Sequence, residues 1–288
     1  MSVRKAVITA AGLGTRLLPY TKELPKEMLP LFARCVHGGL CLKPVLQLIF
    51  EQLYSYGVRE FCFVVGRGKR AIEDFFTRDS NFLEYLYVKN KRELAQDLDE
   101  FYRRVESSTI MFVNQPEPRG FGDAVYRARF FVGDEPFIVH AGDDLILSKN
   151  ASHLARLAKV FEEMNAEAVF LVERVGDPRR YGVIRGVEVC PRVYKVVDIV
   201  EKPRKPPSNI AAIAIYIFTS KIFRALERVA PDQSGEIQLT DAIKLLVEEG
   251  YPVYAVELLP DEKRLDVGTP ESYWNALRLS YERAVGNV

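Results

Sequence analysis

Apolar and polar positions alternate in blocks along the first two-thirds of the chain. Short β-branched and aromatic runs predict buried strands, and segments with apolar residues every three or four positions predict helices. The predicted strands are 6–11, 60–65, 109–114, 136–141 and 168–173. The predicted helices are 43–56, 69–76, 82–106, 122–131 and 151–165. Strands that alternate with helices favour an α/β fold with a mostly parallel sheet.

The pattern changes after about residue 176. Three strand-like runs follow one another, separated by Pro and Gly, and predict an antiparallel region: 181–184, 194–200 and 210–218. The elements predicted after them are helices at 220–229 and 239–249, a strand at 252–258 and a last helix at 270–284. We therefore predict one domain over 1–288, with a Rossmann-like core at 1–175 and a smaller antiparallel lobe with C-terminal helices at 176–288.

The composition is that of a globular protein. The 288 residues are 48% hydrophobic, enough for a large core, and the formal net charge of +1 gives no basic field that would favour nucleic-acid binding. No apolar run approaches the ~20 residues that span a bilayer. The first five residues lead into a strand without the apolar core of a signal peptide. We predict a cytoplasmic protein without nucleic-acid or membrane partners.

The four cysteines lack the Cys-x-x-Cys spacing of iron–sulfur and zinc-ribbon sites. The segment Cys35-Val-His37-Gly-Gly-Leu-Cys41 offers three metal ligands, a short disulfide or two plain thiols. We favour plain thiols in a loop.

The first predicted strand leads into a glycine loop, Gly12-Leu-Gly14, and then into the cations Arg16 and Lys26. Backbone N–H groups of such a loop bind phosphate, and the cations neutralise charge that develops when phosphorus is attacked. A Walker loop needs Gly-Lys-Ser/Thr, which does not occur, and a dinucleotide fingerprint needs glycine where Leu17 stands. The pattern indicates nucleotide chemistry of another type.

The run Gly-Leu-Gly-Thr-Arg at 12–16, followed by Pro-Lys-Glu-Met-Leu-Pro at 25–30, resembles the signature of sugar-nucleotide pyrophosphorylases. The block Ser-Gly-Glu-Ile-Gln-Leu-Thr-Asp-Ala-Ile at 234–243 is similar to the uridylyltransferase branch of that family. The resemblance extends over nearly the whole chain, and only residues 34–42 look like an insertion.

The resemblance implies a Mg²⁺-dependent transfer of a uridylyl group from UTP to glucose 1-phosphate, giving UDP-glucose and pyrophosphate in a homodimer or homotetramer. One alternative is a thymidylyltransferase that uses dTTP, or an enzyme that uses both nucleotides, since one methyl group is worth only ~1–3 kcal/mol in a pocket. Another is a non-catalytic subunit that senses nucleotide sugars. Such a subunit is expected to lose a metal aspartate or the loop arginine, and this chain has both.

The resemblance also implies the nucleotide-binding residues. They are Ala11, Gly12, Gly14, Thr15, Arg16, Lys26, Gln115 and Gly120. Arg16 and Lys26 are expected to be catalytic, stabilising the triphosphate and the leaving group. The amide of Gln115 has a donor and an acceptor that match N3–H and a carbonyl of uracil. The alternative for Gln115 is a surface side chain at a strand end.

Two aspartates are the candidate metal ligands. Asp143 follows the predicted strand 136–141, at the strand end where open α/β folds bind ligands. Asp266 precedes the last helix and resembles the family's second ligand. Mg²⁺ needs only one or two carboxylates beside phosphate and water. Capping or turn roles are the alternatives for both, and Asp144 either contacts the sugar or is solvated.

The sugar phosphate is expected to bind Gly182, Glu201 and Lys202. In the family, the glutamate accepts hydrogen bonds from sugar hydroxyls, the lysine binds the sugar phosphate as a catalytic group, and a backbone group at the glycine touches a hydroxyl. Adjacent strand residues point to opposite faces, so Glu201 and Lys202 serve one site only if the strand end twists. An exposed turn is the alternative.

Overall fold

The computed structural model describes residues 3–286, and thirteen strands and ten α-helices lie within that range. The strands are β1 (Lys5–Ala10), β2 (Pro30–Arg34), β3 (Leu40–Pro44), β4 (Glu60–Val65), β5 (Thr109–Asn114), β6 (Phe137–Ala141), β7 (Asp144–Leu147), β8 (Ala168–Arg174), β9 (Gly182–Cys190), β10 (Val193–Glu201), β11 (Ile210–Phe218), β12 (Val253–Glu257) and β13 (Lys263–Asp266). The helices are α1 (Val45–Tyr56), α2 (Arg70–Phe75), α3 (Ser80–Val88), α4 (Arg92–Glu106), α5 (Gly120–Arg127), α6 (Arg129–Val132), α7 (Ser152–Glu163), α8 (Lys221–Leu226), α9 (Leu239–Glu248) and α10 (Pro270–Val285). None of the helices in this part of the chain has the length and apolar character to cross a membrane.

Nine strands form one mixed sheet in the order β5-β4-β1-β6-β11-β8-β12-β10-β9. The first four pair in parallel, β11 runs antiparallel to both β6 and β8, and β9 and β10 form an antiparallel edge. The prediction of an α/β sheet followed by an antiparallel region is therefore confirmed. Because β11 lies in the middle of the sheet, both halves of the chain build one core. The functional division near residue 175 stays a prediction.

Two apolar layers cover the two faces of the sheet. Along β1, Ala6 and Ile8 pack into one layer and Val7 into the other, as the period of two in a strand requires. Helices α1, α4, α7 and α10 contribute to the first layer, and α5, α8 and α9 to the second. All six residues of β1 are buried, which fits a central strand that leads directly to the glycine loop.

Several of the predicted elements differ in the structure. The helix predicted at 122–131 is two helices, α5 and α6, with Ala128 between them. The single helix predicted at 82–106 is two helices, α3 and α4, separated at Asn90, whose φ of 56° is left-handed. Asparagine adopts that conformation more readily than most residues, so it is a suitable residue for this break. The predicted insertion at 34–42 is most of a hairpin, β2–β3, which packs on α10 through a hydrogen bond from the Phe32 amide to Ser280 Oγ (3.2 Å).

Cys35 and Cys41 are free thiols on this hairpin. Between residues 3 and 286 there is no group of three or more His, Cys, Asp or Glu side chains that could hold a metal ion. The metal alternative for the segment 35–41 therefore has no support.

Sequence analysis missed two short strands that matter for the site. β7 and β13 pair antiparallel to each other, with Asp144 opposite Asp266. In addition, the Val267 amide donates to the Asp143 carbonyl (3.1 Å). This small ladder brings together two aspartate segments that are more than a hundred residues apart in the chain.

We expect Phe50→Ala to lower the free energy of unfolding by about 3–5 kcal/mol, because a large cavity is left in the core. Phe50 is fully buried and its ring centroid lies 4.7 Å from Phe61, 5.3 Å from Phe76 and 6.1 Å from Phe101. Urea denaturation measures the change. Phe130→Ala is the matched control, since Phe130 is 85% exposed. A loss at Phe50 no larger than that at Phe130 would show that this aromatic cluster does not carry the core.

Candidate active site

Three adjoining cavities form a branched cleft at the carboxyl ends of the central strands. The loop cavity (about 480 Å³) lies at the glycine loop, the strand cavity (about 420 Å³) at the ends of β9 and β10, and the aspartate cavity (about 360 Å³) at β7 and β13. Phe121 lines all three, Arg16 lines the strand and aspartate cavities, and Lys26 lines the loop and strand cavities. The cavities therefore act as arms of one cleft.

Every residue predicted for the site lines this cleft. The loop cavity contains Ala11, Gly12, Gly14, Thr15, Lys26, Gln115, Gly120 and Asp143. The strand cavity contains Arg16, Lys26, Gly182, Glu201 and Lys202. The aspartate cavity contains Arg16, Asp143 and Asp266. The roles assigned to these residues remain predictions.

The glycine loop is a tight turn that requires glycine at position 14. Gly14 has a φ of 66°, and a Cβ there would lie 2.9 Å from Thr21 Cγ2. Thr21 Oγ1 donates to the Gly14 carbonyl (2.7 Å), which fastens the turn to the chain that follows. The short 3₁₀ segment at Thr15–Leu17 begins at this turn and carries Arg16 into the cleft.

Lys26 forms an ion pair with Asp143 where the loop and β6 meet. Burial alone disfavours the ammonium of Lys26, but the Asp143 and Glu27 carboxylates outweigh it and raise its pKa above the usual value. Burial likewise opposes ionisation of Asp143, yet Lys26 and Arg264 lower its pKa overall. At neutral pH the pair therefore consists of an ammonium and a carboxylate.

A second buried pair lies beneath the first and was missed by sequence analysis. Lys69 Nζ donates to Glu27 Oε2 (2.9 Å), and both side chains are almost fully buried. Burial raises the pKa of Glu27, with Lys69 as the main opposing charge. Glu27 immediately follows Lys26 in the chain, so this pair fixes the segment from which Lys26 projects. No local pattern points to a partner 42 residues away.

Arg264 is the second feature that sequence analysis missed. Its guanidinium donates to Asp144 Oδ1 (2.8 Å) and to Glu173 Oε1 (2.8 Å), which joins β13 to β7 and β8. Asp144 is therefore buried and not solvated. It also lines the aspartate cavity, so its contact with the sugar stays a prediction. Burial raises the pKa of Asp144 to about 6, with Asp266 and Asp143 adding to the effect and Arg264 opposing it.

Asp143 and Asp266 fit a divalent cation. Both line the aspartate cavity, and the Gly268 amide donates to Asp266 Oδ1 (2.8 Å). A Cβ at Gly268 would lie 2.9 Å from an Arg16 guanidinium nitrogen, so glycine makes room for Arg16 beside this carboxylate. Two carboxylates beside a cavity large enough for phosphate match the ligand set that Mg²⁺ prefers, in which phosphate and water supply the rest.

The end of β10 twists so that Glu201 and Lys202 line the same cavity. Lys202 has a φ of 41°, and its Nζ lies 3.4 Å from Glu201 Oε1. Thr240 Oγ1 donates to Glu201 Oε2 (2.9 Å) and so orients the carboxylate. A Cβ at Gly182 would lie 2.6 Å from Thr240 Cγ2, so only glycine fits beside it. Sequence analysis did not identify this contact of Thr240 with Glu201.

Gln115 follows β5 and is 5% exposed at the wall of the loop cavity. Its amide nitrogen donates to the Gly120 carbonyl (3.1 Å) and to Asp123 Oδ2 (2.8 Å). Gly120 has a φ of 93°, and a Cβ there would lie 2.8 Å from the Ile237 carbonyl. The segment 115–123 is thus packed tightly against the loop that precedes α9.

Comparison with known proteins places these features in a family. Residues 5–282 match the family described as Nucleotidyl transferase. UTP–glucose-1-phosphate uridylyltransferase 2 of Streptococcus pyogenes serotype M1 is 44% identical over 276 residues, covering 92% of this chain and 86% of that protein. UTP–glucose-1-phosphate uridylyltransferase 2 of Staphylococcus saprophyticus is 40% identical over 270 residues, covering 92% and 88%.

Solved structures agree with the sequence relatives. A UDP-glucose pyrophosphorylase crystallised with UDP-glucose matches with a TM-score of 0.83 and 32% identity, covering 98% of this chain and 99% of that one. UTP-bound UGPase from Acinetobacter baumannii matches with a TM-score of 0.85 and 28% identity, covering 98% and 94%. With a family match over nearly its whole length and relatives at 40–44% identity, this chain belongs to the nucleotidyl transferase family.

Proposed function

We propose that this protein transfers the uridylyl group of UTP to glucose 1-phosphate, giving UDP-glucose and pyrophosphate, with Mg²⁺ held by Asp143 and Asp266. The observation that carries the proposal is the branched cleft, in which the glycine loop, two aspartates and the Glu201–Lys202 pair adjoin one another. Two relatives that are named UTP–glucose-1-phosphate uridylyltransferase match this chain over most of their own length, and they support the same reaction.

In this reaction a phosphate oxygen of glucose 1-phosphate attacks the α-phosphorus of UTP. A new P–O bond forms, and the bond from the α-phosphorus to the oxygen that leaves with pyrophosphate breaks. Both reactants are anions, so the protein must hold them in line and screen their repulsion. Covalent participation by a side chain is not required.

The glycine loop and its cations form the triphosphate side of the site. Residues 11–15 line the loop cavity, and backbone N–H groups of such a glycine loop are suited to phosphate oxygens. Arg16 lines the strand and aspartate cavities, so it lies where the sites proposed for the sugar phosphate and for the metal adjoin. Lys26 would exchange its Asp143 partner for phosphate oxygens and stabilise the charge on the pyrophosphate that leaves.

Mg²⁺ bound at Asp143 and Asp266 would supply positive charge that screens the phosphates of both substrates. Lys26 keeps Asp143 ionised, as its lowered pKa indicates, so the carboxylate is ready for a cation. Arg264 engages Asp144, which leaves Asp143 as the aspartate of this turn that lines both the loop and the aspartate cavity.

The strand cavity forms the sugar side. Glu201, oriented by Thr240, is placed to accept hydrogen bonds from glucose hydroxyls, and the backbone at Gly182 adjoins it. Lys202 is more exposed than Glu201, so its ammonium is free to move onto the sugar phosphate. Assembly into a homodimer or homotetramer and a cytoplasmic location stay predictions.

Pyrophosphate release tests the function directly. With Mg²⁺ and glucose 1-phosphate, we expect strong turnover of UTP and little turnover of CTP, ATP or GTP. Comparable rates with dTTP would mean that the base pocket tolerates the C5 methyl group. If no triphosphate gives pyrophosphate release, the proposed reaction is rejected and a nucleotide-sugar-sensing protein is favoured.

Asp143→Asn tests the proposed metal site in the same assay. The amide cannot replace the carboxylate as a cation ligand, so turnover should fall to background while circular dichroism shows an unchanged fold. Asp134→Asn, at an exposed position, should keep the wild-type rate. Wild-type rates in the Asp143 variant would remove Asp143 from the proposed metal site.

Lys202→Ala should raise KM for glucose 1-phosphate by about ten- to a hundredfold, the loss expected for one hydrogen bond to a charged group. KM for UTP should change far less, since Lys202 does not line the loop cavity. Initial rates over both substrates measure this, with Lys195→Ala, an exposed lysine of the same strand, as the control. Equal effects on both substrates would contradict the assignment.

Thr240→Val should raise KM for glucose 1-phosphate by about three- to tenfold, because Glu201 loses one neutral donor. Thr240→Ser keeps the hydroxyl and should retain most of the affinity. Steady-state kinetics compare the two variants at saturating UTP. If the serine variant is impaired as much as the valine variant, the methyl contact at Gly182, and not the hydroxyl, is what matters.

A further inference from the structure

The two hydrogens of the Gln115 amide are already used inside the protein. One nitrogen donates to both the Gly120 carbonyl and the Asp123 carboxylate, at 3.1 and 2.8 Å. A primary amide has two N–H donors and one carbonyl acceptor. The polar atom of Gln115 that remains for a ligand in the loop cavity is therefore the amide oxygen, Oε1.

The opposite orientation of this amide is disfavoured by Asp123. A half-turn of the amide would place Oε1 against both the Asp123 carboxylate and the Gly120 carbonyl, which are acceptors with no hydrogen to offer. Gln115 is 5% exposed, so water has little access to relieve such a contact. An ionised carboxylate thus selects one of two otherwise similar amide orientations.

Asp123 itself is well anchored and does not line the cleft. It is 4% exposed, and Arg127, one helical turn later on α5, donates to its Oδ1 (3.0 Å) and its Oδ2 (3.3 Å). The loop cavity is lined by Gly120, Phe121 and Ala124 of this helix, but not by Asp123. Asp123 therefore contacts the loop cavity through Gln115, which lines it, and not directly.

We propose that Asp123 is a positioning residue for base selection: it fixes the Gln115 amide so that its oxygen accepts a hydrogen bond from N3–H of the base. The proposal rests on the proposed function and on the base-reading role that sequence analysis expects of Gln115. Uracil and thymine have a hydrogen at N3, whereas cytosine has a lone pair there that Oε1 repels. Asp123 therefore selects uracil and thymine together against cytosine, and does not separate UTP from dTTP.

The test is the ratio of kcat/KM for UTP to that for CTP in Asp123→Asn. Asparagine can accept from or donate to the Gln115 amide, so both orientations become available, and we expect the ratio to fall by about tenfold or more, the scale of one hydrogen bond. In a Gln115→Ala background, Asp123→Asn should change the ratio by less than about twofold, as expected for residues that act as a unit. Asp134→Asn is the matched control.

Two results would overturn the proposal. One is an unchanged ratio in Asp123→Asn while Gln115→Ala lowers it, which would leave Gln115 as a base reader that needs no positioning. The other is an equal fall in both backgrounds, which would mean that Asp123 only supports the local fold. Ratios of Kd for UTP and CTP, measured by calorimetry without sugar phosphate, give the same comparison if no turnover is seen. Failure of the reaction and failure of this inference are thus distinguishable.

A measurement on the unmutated protein covers the case in which the variants do not fold. Uridine triphosphate methylated at N3 lacks the hydrogen that Oε1 accepts, whereas the nucleotide methylated at C5 retains it. We expect the N3-methyl compound to bind at least about tenfold more weakly than UTP, and the C5-methyl compound to keep most of the affinity. Equal binding of UTP and its N3-methyl form would overturn the proposed orientation.

Discussion

Charge balance at the floor of the cleft is the constraint on which the rest of the site depends. Several carboxylates are buried near the ends of the central strands, and a buried carboxylate without a partner is costly. Removing one member of such a pair typically destabilises a protein by about 3–5 kcal/mol. The pairs are Lys69 with Glu27, Lys26 with Asp143, and Arg264 with Asp144 and Glu173. Since the partners come from distant parts of the chain, the site is complete only when the whole sheet has formed.

Much of the fold could be predicted from local patterns. The strands at 60–65 and 210–218 lie where their apolar runs indicated, because a strand that is buried on both faces is apolar at nearly every position. The strand at 109–114 was also predicted, although it lies at the sheet edge and none of its residues is fully buried. The break at Asn90 and the short pair β7–β13 could not be predicted in this way. One depends on a single residue in a left-handed conformation, and the other on two four-residue strands whose partners are more than a hundred residues apart in the chain.

The residues of the candidate site also fall into those that a local sequence pattern predicts and those that depend on distant partners. Gly14, Lys26 and Asp143 belong to compact motifs, so their types and spacing were enough to nominate them. Arg264 and Thr240 act through partners 120 and 39 residues away, and nothing in their own segments indicates those partners. The twist at Lys202 was predictable only in part. The sequence indicated that a twist is needed if Glu201 and Lys202 serve one site, but only the backbone conformation shows that it occurs.

The central position of β11 has a consequence for synthesis of the chain. β6, which is wholly buried in the finished sheet, pairs with β1 on one side and with β11 on the other. About 70 residues separate β6 from β11 in the chain. At translation rates of 5–20 residues per second, the edge of β6 that pairs with β11 therefore stays unpaired for roughly 4–14 s during synthesis. An apolar strand edge left open for that time is prone to pair with other nascent chains. Yield of active protein should therefore depend on chaperones that shield this edge until residue 218 has left the ribosome.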